Sequence, residues 1–590
     1  MNITKNKNYL IFILAIIVTV FLSIGIKDNQ FQFTDGNNFK WVLIVAILCV
    51  LFSKAIEKYN RRLLICSVIY GTIITCFILI GCICINEQIQ IGKKALLFII
   101  FKFIAYCTCI TSVMMIIINN LPNAIERISN KKEYNFFTDN RKSFILVAII
   151  IFVAYIPYLL NYYPGNVLID SVVQILQGQG ELELTTHHPV LHTEIITLCL
   201  NIGYNLFNSY QVGAFIYTLL QTICTSVIFS FCIYYMAKKN ISIFIRVIAM
   251  LFFMFCPTIC FYTITMYKDI PFALLILLVT IGLSEMVLDT NNFFTSKLKI
   301  VLLIMVIALS MFFRNNGIYA IILTFPFILI ALKKYYKKII AIFCIPIAIY
   351  VMVSGPIFNF MGIEKGSPRE ALSIPIQQFA RLMTYRYDDL SIEQKEKIKQ
   401  YLPIENWDEL YNPGFADPVK SNFSEEGFEK DKIGLIKLYL ELALKFPGET
   451  IRAFLMGSYG YYYPNTVGWG VYTGVNTEQF EDFDKYKFEQ TPIIKISLLN
   501  KINAFVNNRN LPIVSMFISI GFLFWLVLAC LTYIIYKKEY KKILIFLPTL
   551  FVWLTALASP VFCEPRYVYS IFTCLPLFIG LAMEGEEKNE

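Results

Sequence analysis

An aspartate and the only three histidines of the chain fall within one short stretch, NYYPGNVLIDSVVQILQGQGELELTTHHPVLHTE, at 161–194. Asp170, just beyond an apolar segment, could take a proton from an incoming hydroxyl. The same residue could instead cap a short helix over 171–177 that stops at Gly178. His188 and His192 are four residues apart and would share one helix face. With Asp170 and Glu194 they could complete a site for a divalent metal. They could equally contact a phosphate with His187, or be structural, with Pro189 opening a helix and His188 capping it.

Three further short segments carry charge beside apolar runs: TMYKDIPFALL with Lys268 and Asp269, FFRNNGIYA with Arg314, and CEPRYVYS with Glu564 and Arg566. Asp269 before Pro271 reads as a helix cap, and Lys268 alone as a snorkelling anchor. Together the segments offer one candidate base, several cations and several aromatic rings. Arginine presents a fork to phosphate oxygens and lysine a point charge, so the set suits a lipid-linked phosphate at a bilayer surface.

These segments must be positioned by membrane helices. Of the 590 residues, 57% are hydrophobic and only 16% charged, against roughly 25% charged in a soluble domain; the mean hydropathy is +0.62. The net charge of +10 is spread over short clusters between apolar runs, which set topology and do not make a nucleic-acid-binding module. Most of the 16 cysteines lie inside apolar runs, and 355–510 has none, so they read as small buried residues and not as a disulfide scaffold. The basic start followed by an apolar run without a small-residue cleavage site points to a retained first span.

Fourteen apolar runs approach spanning length, at 9–26, 40–56, 63–86, 95–118, 143–160, 211–236, 243–263, 270–289, 299–313, 317–332, 339–354, 512–536, 541–558 and 566–583. The lysines and arginines at 5–7, 58–62, 127–142, 238–239, 297–299, 333–338 and 537–542 all fall on the cytoplasmic side if 190–207 does not cross. The reading is therefore an all-α polytopic membrane protein with about fourteen spans, both termini inside, and 190–207 as an interfacial helix. It divides into a four-helix region (1–142), a core (143–354) with an outer loop at 161–210, a mainly helical extracytoplasmic domain (355–510) and a three-helix region (511–590). Asp170, Lys268, Arg314 and Arg566 then share the outer side.

The acid after a span, the HHPVL segment, the K-D turn, the R-N-N-G turn and the late PRYVYS resemble the GT-C superfamily of polytopic glycosyltransferases, which includes protein O-mannosyltransferases and lipid A aminoarabinose transferases. HHPVL is similar to their H-P-P-L segment, with Val190 in place of the second proline. More narrowly, SIPIQQFARLM (373–383), NPGFADPVKSNF (412–423) and GYYYPNTVGW (460–469) resemble a family of bacterial membrane proteins with a domain of unknown function. The broad resemblance implies a donor sugar on a polyprenyl phosphate, a cell-envelope acceptor, reaction on the outer face, Asp170 as the general base and Asp269 at a second acidic position. Lys268, Arg314 and Arg566 would steady the departing phosphate, and some members also bind a divalent metal. The insert at 355–510 and the four leading spans depart from the common core. A polymerase joining glycan repeats, a transporter or flippase of lipid-linked precursors, and a non-catalytic sensor are the competing classes. Transporters place binding groups near mid-membrane on broken helices, whereas the candidates here sit at span ends.

Overall fold

The structure, a computed structural model, describes residues 2–27, 30–34, 38–86, 92–129, 140–466, 468, 470–475, 481–509, 511–558 and 561–584. Lys131, Lys132, Val467 and Trp469 of the segments named above lie outside them. The chain is an all-α polytopic membrane protein; among the described residues the only paired strands are a short antiparallel hairpin, Ile24–Lys27 with Gln30–Phe33. Ten helices are long and apolar enough to cross a membrane, or eleven if the bent pair Ile243–Phe255 and Pro257–Thr263 counts as one. The expected fourteen also counts Lys7–Leu22 and Gly317–Ala331, which are shorter apolar helices, and Lys297–Phe313, of 17 residues.

Asp269–Leu288 is the central helix. It is apolar all round and buried on nearly every face, as expected of a helix surrounded by other helices. It packs against Tyr210–Lys238, Lys297–Phe313, Ile543–Ala558 and Tyr569–Met583. Near its far end Glu285 accepts from Lys299 at 2.7 Å and is ion-paired with Lys239 at 3.1 Å and Lys238 at 3.7 Å. Asp269 begins the helix at the other end, roughly 24 Å away at 1.5 Å per residue. One end of the bundle thus gathers lysines, and the other gathers the candidate site.

The break before Pro257 shapes that second end. Proline removes a helical hydrogen bond and forces the preceding residue out of the helical region; Cys256 sits at φ −65°, ψ 113°. The helix turns by 55° and delivers the turn at 264–268. Gln221 of Tyr210–Lys238 holds that turn by donating to the carbonyls of Thr263 and Thr265 at 2.9 and 2.8 Å.

Val190–Phe207 packs mainly on Tyr210–Lys238. Tyr204 stacks on Tyr210 with ring centroids 4.6 Å apart, and His192 reaches the Tyr217 hydroxyl at 2.6 Å. These contacts lie near opposite ends of Val190–Phe207, so the two helices run antiparallel, side by side. Where the two helices approach most closely, a Cβ on Gly203 would lie 2.2 Å from the Gly213 nitrogen, so both positions need glycine.

Residues 376–442 of the insert bury a separate core that includes Phe379, Trp407 and Leu438. Later insert residues return to the bundle: Tyr461, Tyr462, Val471, Leu499 and Val506 join the main core, and Phe483 and Tyr486 pack beside Val172 and Leu200.

Candidate functional site

The helix Ile169–Gly178 carries Asp170 in its first turn. Its apolar face, with Val172, Ile175 and Leu176, packs beside Ile196, Leu200 and Tyr217. Leu168, and not Asp170, occupies the N-cap, because the Asp170 carboxylate is turned to partners far along the chain. The preceding strand-like segment fixes its position. Asn166 N–H donates to the Ile264 carbonyl at 2.9 Å, Met266 N–H donates back to the Asn166 carbonyl at 3.1 Å, and the Ser171 hydroxyl donates to the Met266 carbonyl at 2.7 Å. Lys268 is thereby brought beside Asp170.

Arg566 arrives from the last span. Glu564 accepts from the Arg566 N–H at 3.4 Å and from the Tyr262 hydroxyl at 3.0 Å, and Phe562 N–H donates to the Gly414 carbonyl of the insert at 3.0 Å. Arg566 Nη1 then donates to Asp170 Oδ2 at 2.8 Å, and Lys268 Nζ lies 3.5 Å from the same oxygen. Among the described residues Asp170 Oδ1 makes no hydrogen bond. A quarter of the Asp170 side chain is exposed. Burial alone would raise its carboxyl, but the charges of Arg566 and then Lys268 hold it well below the usual carboxylate range.

The cations are held by rings. Arg566 lies over Tyr267 and Tyr567 at 4.6 and 5.0 Å, and Arg314 over Tyr567 and Phe272 at 4.8 and 5.6 Å. Tyr267, Arg566, Tyr567, Arg314 and Phe272 form an alternating ladder of rings and guanidiniums, an arrangement that suits the planar guanidinium better than an ammonium. Asp269 is fully buried and ion-paired with Arg314 Nη1 at 2.5 Å. Its expected role as a cap is corrected: Lys268 occupies the N-cap of Asp269–Leu288 and no side chain caps that helix, because a guanidinium 45 residues away takes the carboxylate.

The three histidines separate. His188 is buried, and its Nδ1 accepts from Lys268 Nζ at 2.8 Å; burial, then the Lys268 charge, push it well below the usual histidine range, so it is neutral. His187 packs edge-on against it, with centroids 4.6 Å apart, and borders the cavity. His192 is fully buried, with Nδ1 on Gln174 at 3.1 Å and Nε2 on the Tyr217 hydroxyl at 2.6 Å; burial brings it down to about 3. The candidate metal set of Asp170, His188 and His192 is therefore corrected. Both ring nitrogens of His192 are taken, His188 Nδ1 faces an ammonium, and no group of three His, Cys, Asp or Glu converges among the described residues. A divalent metal does not fit these residues. Pro189, not His188, is the N-cap of Val190–Phe207.

Asp170, Lys268, Arg314 and Arg566 border one cavity of about 1090 Å³. Its opposite wall comes from the insert: Lys365, Arg369 and Lys420, with Glu370 and Asp417. In all, six lysines and arginines face three carboxylates, a balance that suits an anion. A third wall is apolar, with Tyr319, Leu323, Phe358, Leu554 and Ala558. The insert is stitched to the histidine loop: Thr186 N–H donates to the Glu364 carbonyl at 2.8 Å, and Gly366 N–H to the Thr186 hydroxyl at 3.0 Å. Asn315 Nδ2 donates to the Thr186 carbonyl at 2.7 Å, which joins the R-N-N-G turn to the same rim.

A family model described as a family of unknown function, DUF6020, matches residues 175–590. The chain belongs to the DUF6020 family. No curated protein matches it, and no solved structure matches it. The DUF6020 segment holds the three histidines, Lys268, Arg314 and Arg566, and begins five residues after Asp170.

Sequence reasoning on this DUF6020 chain did not single out Tyr267, Tyr567, Lys365, Arg369 or Lys420. Tyr267 precedes Lys268 and Tyr567 follows Arg566, so an aromatic adjoining each cation was the available signal. For the insert cations there was none, since they lie in a polar region among many similar residues.

Proposed function

We propose that this DUF6020 protein is a membrane glycosyltransferase that moves a sugar from a polyprenyl-phosphate carrier to a cell-envelope acceptor. The observation that carries the reading is the composition of one cavity: a solvent-reachable carboxylate beside fixed cations, bounded on another side by apolar residues of the spans. A lipid phosphate needs both surfaces, and a sugar acceptor needs the carboxylate.

In the proposed step the acceptor hydroxyl binds Asp170 Oδ1, the oxygen without a hydrogen bond. The acceptor oxygen forms a bond to the anomeric carbon as the bond from that carbon to the phosphate oxygen breaks. The hydroxyl proton passes to Asp170, and the electron pair of the broken bond stays on the phosphate. Arg566 and Lys268 stabilise that charge, and Arg314 adds to the field from the next rung of the ladder. Phosphate is a good leaving group, so a second carboxyl to protonate it is dispensable, unlike the pair used in glycoside hydrolysis. No step requires a metal.

Lysine clusters at the end opposite the cavity favour an orientation with that end and both termini in the cytoplasm. The cavity and 355–510 would then face outward, in a multi-pass arrangement of about fourteen spans that counts the shorter helices, with a GT-C-like core over 143–354. The basic clusters after 207 all fall on the cytoplasmic side only if Val190–Phe207 is an interfacial helix that does not cross. A flippase of lipid-linked precursors would also use an amphipathic cavity, but its binding groups belong near mid-membrane.

The test combines envelope and lipid-carrier mass analysis in a deletion strain with transfer by the purified chain. A polyprenyl-phosphate sugar that accumulates in the deletion strain and is consumed in vitro supports the transferase. Accumulation without transfer by the purified chain, but with translocation of the carrier in vesicles, would replace it with the flippase.

A further inference from the structure

We propose that Asp170 and the phosphate of an incoming lipid compete for Arg566 and Lys268, so that Asp170 becomes a competent base only after the phosphate has taken those cations. The inference rests on the proposed donor class and adds an order of binding to it.

The geometry supplies the argument. Both cations address one oxygen, Asp170 Oδ2, and leave Oδ1 without a hydrogen bond among the described residues. The carboxylate therefore occupies the position of an anionic ligand on its own cations. Arg566 lies between the rings of Tyr267 and Tyr567, so it stays in place whichever anion it serves. Among the described residues Lys268 is held on its other side only by neutral His188, and its flexible stem lets it turn from one anion to another. The remaining carboxylates near Asp170 have their own partners: Asp269 pairs with Arg314, and Glu564 accepts from the Tyr262 hydroxyl and the Arg566 backbone, with the Arg566 Nε at 3.9 Å.

While both cations face Asp170, its proton affinity is suppressed, and a weak base removes a hydroxyl proton slowly. A phosphate that takes Arg566 and Lys268 brings its own negative charge. That charge raises the proton affinity of the carboxylate at the moment the donor is in place. An acceptor that arrives first meets a carboxylate with little affinity for its proton.

The experiment measures binding and not transfer. The full chain in phosphatidylcholine nanodiscs is titrated with farnesyl phosphate, and with farnesol as the neutral control. Removing the competing carboxylate in Asp170→Asn is expected to tighten farnesyl phosphate binding about tenfold or more, the scale on which like charges oppose one another at a binding site. Farnesol binding is expected to stay unchanged, and Asp170→Glu, which keeps the charge, to bind like the parent. Asp170→Ser serves as a second neutral variant should Asp170→Asn fail to fold. Equal or weaker farnesyl phosphate binding by the neutral variants overturns the competition and leaves the transferase reading intact. Absence of farnesyl phosphate binding by the parent and every variant overturns both.

Discussion

Arg566 Nη1 donates to Asp170 Oδ2 at 2.8 Å across 396 residues of sequence. The bond joins the first turn of a short helix after the fifth apolar run to the start of the last span. It ties the last span, inside the DUF6020 segment, to a helix turn just before that segment begins. Lys268 completes the contact from the central helix, so three distant pieces of chain converge on one carboxylate oxygen.

Arg566→Lys keeps the charge but loses the fork and the ring stacking. It is expected to lower transfer about 10-fold, and Arg566→Gln about 100- to 1000-fold. Because Arg566 is the principal cation lowering the Asp170 carboxyl, its removal raises that group. The acid limb of the pH–rate profile should then move to higher pH in Arg566→Gln. An unmoved limb would mean that Asp170 is not the group being titrated.

His188 and His192 are both buried and both held below the usual histidine range. Near pH 6.5 and below, the unfolded chain takes up protons that these folded rings refuse. The unfolded state then binds more protons, so stability falls as pH drops. Between pH 7.5 and 5.5 the loss should be about 1 to 1.5 kcal/mol for each ring. It is read as a lower Tm at pH 5.5, and His192→Gln should flatten the dependence. A Tm equal at both pH values would contradict it.

The close approach at Gly203 and Gly213 leaves no room for a side chain. Gly213→Leu is expected to cost about 1–3 kcal/mol or more by forcing the helices apart, while Leu198→Ala on the exposed face should cost less than about 0.5 kcal/mol. Thermal unfolding in detergent compares the two. Similar losses would mean that the close approach is unimportant.

A single cysteine at Asn208, in a background free of the native cysteines, should react with a membrane-impermeant thiol reagent on intact cells. Asn208 ends Val190–Phe207 in the left-handed region. Labelling only after permeabilisation would show that Val190–Phe207 crosses, and the orientation of every later span would reverse.

The helices were legible because lipid-facing and core-facing residues are both apolar, so each span appears as an uninterrupted run. The K-D, R-N-N-G and P-R-Y turns were legible as charges at span ends. What stayed hidden was partnership. Asp269 looked like a cap because capping is a local rule, yet Arg314 takes its carboxylate. Asp170 looked like a cap for the same reason. His192 fits helical spacing with His188, but Gln174 and Tyr217 satisfy it from two other helices. The insert wall of the cavity, with Lys365, Arg369 and Lys420, depends on where a long segment folds back, which no local pattern encodes.

The ring of Tyr567 serves two guanidiniums at once, Arg566 on one rung and Arg314 on the next. Genetically, the three positions form one unit. Tyr567→Leu would loosen both arginines, and a later change at either would then cost less than it does in the parent. Such non-additivity narrows the mutational paths open to this corner of the protein. Tolerated variation should therefore reach Tyr567, Arg566 and Arg314 together or leave all three alone.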